Sequence, residues 1–150
     1  MLFRSLNIEI KRAILQARHI RSIAEQVATL IAHGKLQKTV LVSSFDPRAL
    51  AHVKACQPDI STALVAMRRP RGGVPAALQR LGVQALHMSR YSVSPTLLTE
   101  ARRVHCPVHA FTVDEVPKMR HLIARGVDGL FTNYPGRLRR LLTEMFPSAA

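Results

Sequence analysis

Short, almost wholly apolar segments recur along this chain, each followed by a segment patterned as a helix, and that alternation limits its folds more than any other feature. The strand-like segments are LNIEIK (6–11), TVLVSSF (39–45), TALVAM (62–67), VQALHM (83–88), PVHAFTV (107–113) and VDGLFT (127–132). A strand with one wet face alternates polar and apolar residues, whereas one covered on both faces does not. Several of these runs are nearly continuous, which predicts parallel strands covered on their outer side by helices.

The segments between them start and stop as helices do. Asp46-Pro47, Ser94-Pro95 and Asp114 supply N-cap residues, with prolines suited to the first turn. Gly34, Gly82 and Gly126 stand where a helix would end in a left-handed cap. Over 20–33 the residues Ile20, Ile23, Ala24, Val27, Leu30 and Ile31 form one apolar stripe. A last helix over about 135–146 repeats the pattern with Leu138, Leu141, Leu142 and Met145.

Six such βα units in 150 residues fit either an open doubly wound sheet or part of a (β/α)₈ barrel. Against the open sheet, no glycine-rich phosphate loop follows any strand, and RRPRGG (68–73) has its glycines adjacent. For the barrel, polar residues collect at strand C-terminal ends, where barrel active sites sit: Glu9 and Lys11, Ser43 and Ser44, His87, Thr112, Thr132 and Asn133. A whole barrel has eight strands and typically about 250 residues, so this chain is about two units short.

In the first strand, Ile8 and Ile10 share one face while Asn7, Glu9 and Lys11 share the other. Twenty-two Lys and Arg against nine Asp and Glu leave a net charge of +13, a surplus that attracts nucleic acid, phosphate esters or anionic surfaces without choosing among them. Aromatic residues make up 5%, few for stacking bases. No apolar run spans a bilayer, and MLFRSLNIEIKR offers no leader core. Cys56 and Cys106 show neither metal nor disulfide spacing, so a reducing cytoplasm is the expected setting.

The runs LNIEIK, VLVSSFDPRAL (40–50), LGVQALHMSRYSVSPTLLTEAR (81–102) and VHAFTVDEVPKMRHLIARGVDGLFTN (108–133) resemble, in order and spacing, the glycerophosphodiester phosphodiesterase family. The likeness covers nearly all 150 residues and implies one truncated domain over 1–150, from the third barrel strand to the C-terminus. The implied fold is α/β, a partial TIM barrel of about six βα units with a parallel sheet. The implied chemistry is metal-assisted hydrolysis of a glycerophosphodiester to glycerol 3-phosphate and an alcohol. Residue by residue, the resemblance makes Glu9 a ligand of a divalent cation, Mg²⁺ or Ca²⁺, Lys11 the contact to the substrate phosphate, and Phe111 part of the substrate lining. The family's Thr-Asp pair has become Thr132-Asn133.

The family's early His-Arg-Gly, Glu-x-Asp and His-Asp elements, which carry its catalytic histidines and further metal carboxylates, have no counterpart in the sequence. Glu9 is the only acid at the strand-end rim, and one carboxylate is a poor site for a hard cation. His87 and His109 fall on strands but not at the family's catalytic positions, and His87 reads as a hydrogen-bonded structural residue. Little hydrolysis is therefore expected of the chain alone. Alternatives to the enzymatic reading are a structural Glu9–Lys11 ion pair, a non-catalytic basic module for nucleic acid or anionic surfaces, and a homo-oligomer or complementing chain that completes the barrel. Nucleic acid is the less favoured partner, and RRPRGG reads as a solvated basic loop.

Overall fold

A computed structural model describes residues 6–11 and 17–147. The residues MLFRS, part of the segment read above as lacking a leader core, lie outside the described region. The elements follow the expected alternation: β1 Leu6–Ile10, α1 Ala17–His33, β2 Val40–Ser44, α2 Pro47–Cys56, β3 Ser61–Ala66 and α3 Gly73–Leu81. β4 Ala85–Ser89, α4 Pro95–Arg103, β5 Val108–Phe111, α5 Val116–Arg125, β6 Gly129–Leu130 and α6 Pro135–Met145 complete them.

All strand pairs are parallel, and the six-stranded sheet runs β1-β2-β3-β4-β5-β6. A doubly wound sheet reverses its order at a switch point. Here every strand pairs with its neighbour in sequence, which decides for a half-barrel wall. Right-handed crossovers then put every helix on one side of the sheet.

That outer layer holds the core. Toward β1 and β2, Ile10, Val40 and Val42 pack with Ile20, Ala24, Ala28 and Ile31 of α1 and with Ala49 and Val53 of α2. Toward β4 and β5, Leu86, Met88, Val108 and Ala110 pack with Leu97, Leu98, Met119, Leu122 and Leu141 from α4, α5 and α6. Burial of each Val, Leu, Ile or Met side chain among them stabilises by about 1.5–3 kcal/mol.

Asp46 and Ser94 cap α2 and α4, accepting from Arg48 N and Leu97 N, with proline in each first turn. Several expectations fail locally. Asp114 is not the cap of α5: Glu115 precedes that helix, and the Asp114 carboxylate turns toward Thr132 and Asn133. Gly82 and Gly126 do take left-handed caps, but after α1 the left-handed residue is Lys35 (φ 53°), one place beyond Gly34. Gly34 N still bonds Leu30 O, so the helical pattern persists through it. The buried stripe of α1 centres on Ile20, Ala24, Ala28 and Ile31, which leaves Leu30 70% exposed. Finally, β6 is confined to Gly129–Leu130, shorter than the VDGLFT segment suggested.

Candidate functional site

Since side chains alternate, the residues that do not face the helices line the concave side of the sheet. Register carries Glu9 opposite Ser43, Val65 opposite His87, His87 opposite His109, and His109 opposite Gly129. A cavity of about 140 Å³ opens on this face, lined by Asn7, Glu9, Phe45, Val65, His87, Phe111, Thr112 and Phe131. Of the residues that the family resemblance singles out, Glu9 and Phe111 are thus brought together. Lys11 is exposed one residue past β1 and does not line the cavity.

Aromatic rings build the walls. Phe45, just beyond β2, meets Phe111 edge to face with ring centres 6.0 Å apart. His87 lies 5.2 Å from His109 and 4.7 Å from Phe131, centre to centre. Gly129 makes room for this cluster, because a Cβ there would stand 2.7 Å from His109 Cδ2.

Burial, reinforced by the neighbouring His109, pushes the His87 imidazole down from 6.5 to about 4. Burial also lowers His109, against an opposing pull from the Asp128 carboxylate. Near neutral pH both rings are uncharged, and Glu9 is the one carboxylate on the cavity wall among the described residues.

Three polar atoms on this face have no hydrogen-bond partner among the described residues: Asn7 Oδ1, Ser43 Oγ and His87 Nε2. The expectation of a hydrogen-bonded His87 therefore does not hold at Nε2; the side chain is 2% exposed and borders the cavity. The next serine is fully used: Ser44 Oγ donates to Ile10 O (2.6 Å) and accepts from Asp46 N (3.0 Å), fastening β1 to the start of α2. Thr132 and Asn133 are equally occupied. Thr132 Oγ1 (3.1 Å) and Asn133 N (2.9 Å) donate to Asp114 Oδ1, and Asn133 Nδ2 donates to Oδ2 (3.0 Å). These bonds hold the Asp114 carboxyl below its ordinary range, Asn133 contributing most.

No group of three or more His, Cys, Asp or Glu placed to hold a metal ion exists among the described residues. Hard divalent cations take several oxygen ligands, so Glu9 with its present neighbours does not fit one. Sequence reasoning did not single out Phe45 or Phe131 as lining residues. Period-two counting from Ser43 and from Gly129, the register partner of His109, could have found both.

The family model described as the glycerophosphoryl diester phosphodiesterase family matches residues 5–137. A glycerophosphodiester phosphodiesterase of Bacillus altitudinis is 28% identical over 156 residues, covering 93% of this chain and 56% of its own length. One from Caldanaerobacter subterraneus is 28% identical over 137 residues, covering 91% of this chain and 55% of its own. The chain thus spans about half the length of the curated relatives it matches. Among solved structures, a glycerophosphodiester phosphodiesterase from Parabacteroides distasonis superposes with a TM-score of 0.82 at 21% identity, over 94% of this chain and 58% of that one. An Oleispira antarctica phosphodiesterase, solved with its product sn-glycerol-3-phosphate, gives a TM-score of 0.75 at 22% identity, over 92% and 55%. At such identities the structural likeness shows the fold.

Proposed function

The chain belongs to the glycerophosphoryl diester phosphodiesterase family, and from that premise we propose that its concave face is the phosphate-handling wall of a glycerophosphodiester hydrolase. The carrying observation is that Glu9, from β1, and Phe111, from β5, border one cavity at the strand C-terminal side. Lys11, exposed one residue beyond β1, supplies the cation for the phosphate, and Phe111 packs against the rest of the substrate. In this reading β1 is the third strand of the family's barrel, 1–150 is one truncated domain, and hydrolysis yields glycerol 3-phosphate and an alcohol. The Mg²⁺ or Ca²⁺ that the family resemblance implies needs carboxylates beyond Glu9, so no step is assigned to a metal here. Both cysteines are free, in keeping with a cytoplasmic setting, and no helix among the described residues is long and apolar enough to cross a membrane.

Binding tests this reading apart from turnover. Titration of the chain with sn-glycerol 3-phosphate should move the amide signals of Glu9, Lys11 and Phe111. Lys11→Ala should weaken the interaction about tenfold, as expected for losing a charge-assisted contact of roughly 1.5 kcal/mol or more. No shift at those residues would refute the assignment. Turnover of glycerophosphocholine by the 150-residue chain alone should stay at background with Mg²⁺ or Ca²⁺ present.

A second reading is favoured by one further observation. Among the described residues β1 and β6 each pair on one side only, while Asn7 Oδ1, Ser43 Oγ and His87 Nε2 find no hydrogen-bond partner on the face between them. Open strand edges and lone buried polar atoms are both costly, and added strands would relieve both. A second copy or another chain completing the barrel would therefore sit here. Light scattering of the purified chain tests the homo-oligomer, which a monomer at all accessible concentrations would exclude.

A further inference from the structure

The connections after β3 and β4 stand side by side on the strand-end rim. Ser92 Oγ donates to Met67 O, joining the two loops (2.5 Å). Each loop presents a large side chain to solvent: Met67 is 57% exposed and Tyr91 79% exposed. Arg68 and Arg71 are exposed beside Met67, and neither takes part in an ion pair among the described residues.

The nearby carboxylates do not cancel them. Glu100 is held by Arg69 and by Val74 N, and Glu115 by Arg90 and Lys118. The Arg90 guanidinium lies 4.8 Å from the Tyr91 ring centre and donates to the Tyr91 hydroxyl. On the far side of the rim Arg137 stacks on the exposed Tyr134 in the same way, 3.9 Å from its ring centre.

Exposed thioether and phenol groups set among unpaired arginines match one environment best. At the surface of an anionic bilayer the apolar groups leave water, tyrosine spans the polar boundary, and each guanidinium meets a lipid phosphate. Base stacking fits less well, because Arg90 covers the Tyr91 ring and Met67 offers no flat face. We propose that the rim formed by Met67, Arg68, Arg71 and Tyr91 docks on an anionic bilayer surface and holds the mouth of the concave cavity against the headgroups. The docking stands apart from the catalytic reading: the surface would bind lipid whether or not the cavity binds a phosphodiester.

Vesicle sedimentation of the full chain, at physiological ionic strength, tests this with two probes. One is pure phosphatidylcholine; the other is phosphatidylcholine mixed with phosphatidylglycerol. The chain should pellet with the anionic vesicles and stay in solution with the neutral ones. Arg68→Gln with Arg71→Gln should lower partitioning by roughly tenfold to thirtyfold, since each basic residue near such a surface contributes about 1 kcal/mol. Met67→Ser with Tyr91→Ser should weaken binding at least about fivefold while leaving its salt dependence intact. These side chains are exposed, and matching circular dichroism melts will show that the variants fold. Absence of anionic-vesicle binding, equal binding to both vesicles, or unchanged binding in the variants would overturn the proposal. So would release of vesicle-bound protein by single-stranded oligonucleotide in preference to lipid, which would mark the rim as a nucleic-acid surface.

Discussion

Phe45 and Phe111 meet edge to face, 6.0 Å between ring centres, although two whole strands, β3 and β4, separate the strands that carry them. Flat strands about 4.8 Å apart would leave three spacings between β2 and β5, so the contact accords with a sheet curved toward its concave face. Both rings border the cavity that Glu9 enters.

The pair should therefore be energetically coupled. A double-mutant cycle with Phe45→Ala and Phe111→Ala, followed by urea denaturation, should give a coupling of about 0.5–1.5 kcal/mol. Strictly additive losses would mean that the rings touch without mutual stabilisation and that other contacts hold the curvature.

Gly129 is needed for space. Its Cβ would lie 2.7 Å from the His109 ring, a rigid group that cannot bend aside as a long side chain can. Gly129→Ala should destabilise by about 1–3 kcal/mol, in the range of other overpacking changes. Adding His109→Ser should recover part of the loss, and thermal melts of the three variants will show whether it does.

His87 should make the fold acid-sensitive well above the carboxylate range. Its folded value is about 4 against 6.5 ordinarily, so above pH 6.5 the ring is neutral in both states and stability is whole. As pH falls from 6.5 toward 4 the unfolded chain binds a proton that the folded chain refuses, and stability drops by on the order of 3 kcal/mol. Urea midpoints at pH 7 and pH 5 (about neutral and mid-window) should differ less in His87→Leu than in the parent chain. An equal difference would show that His87 does not carry the effect.

Asp114 should act at lower pH. Bonds from Asn133 and Thr132 hold its carboxyl below the ordinary 3.8, so its contribution is present above that value and is lost as pH falls through the folded one. Asp114→Ala should lower the melting temperature near neutral pH and flatten the acid limb of the stability curve. Melting temperatures across the acid range provide the check, and an unchanged limb would remove Asp114 from the account.

The docking rim also bears on how the cavity would be approached. Its two tyrosine–arginine stacks and the joined Met67 and Tyr91 loops all stand on the strand-end side of the sheet. Arg90, which stacks on Tyr91, donates to Thr112 O (2.8 Å), and Thr112 lines the cavity, so this part of the rim adjoins the cavity edge.

By itself, the sequence determined the repeating unit and the faces of its elements. The apolar runs located every strand, the Asp46 and Ser94 caps began their helices where expected, and period two placed Asn7 and Glu9 opposite Ile8 and Ile10. Those are local properties, set by side-chain alternation and by the few residues that can cap a helix or take a left-handed turn. Tertiary structure decided the rest. The partial barrel was already implied by the sequence resemblance, but the ring cluster of His87, His109 and Phe131 depended on register across three strands. The turn of Asp114 away from α5 and toward Asn133 was likewise a contest between a local cap and a distant loop. Such outcomes follow from packing partners far apart in the chain, which no window of sequence contains.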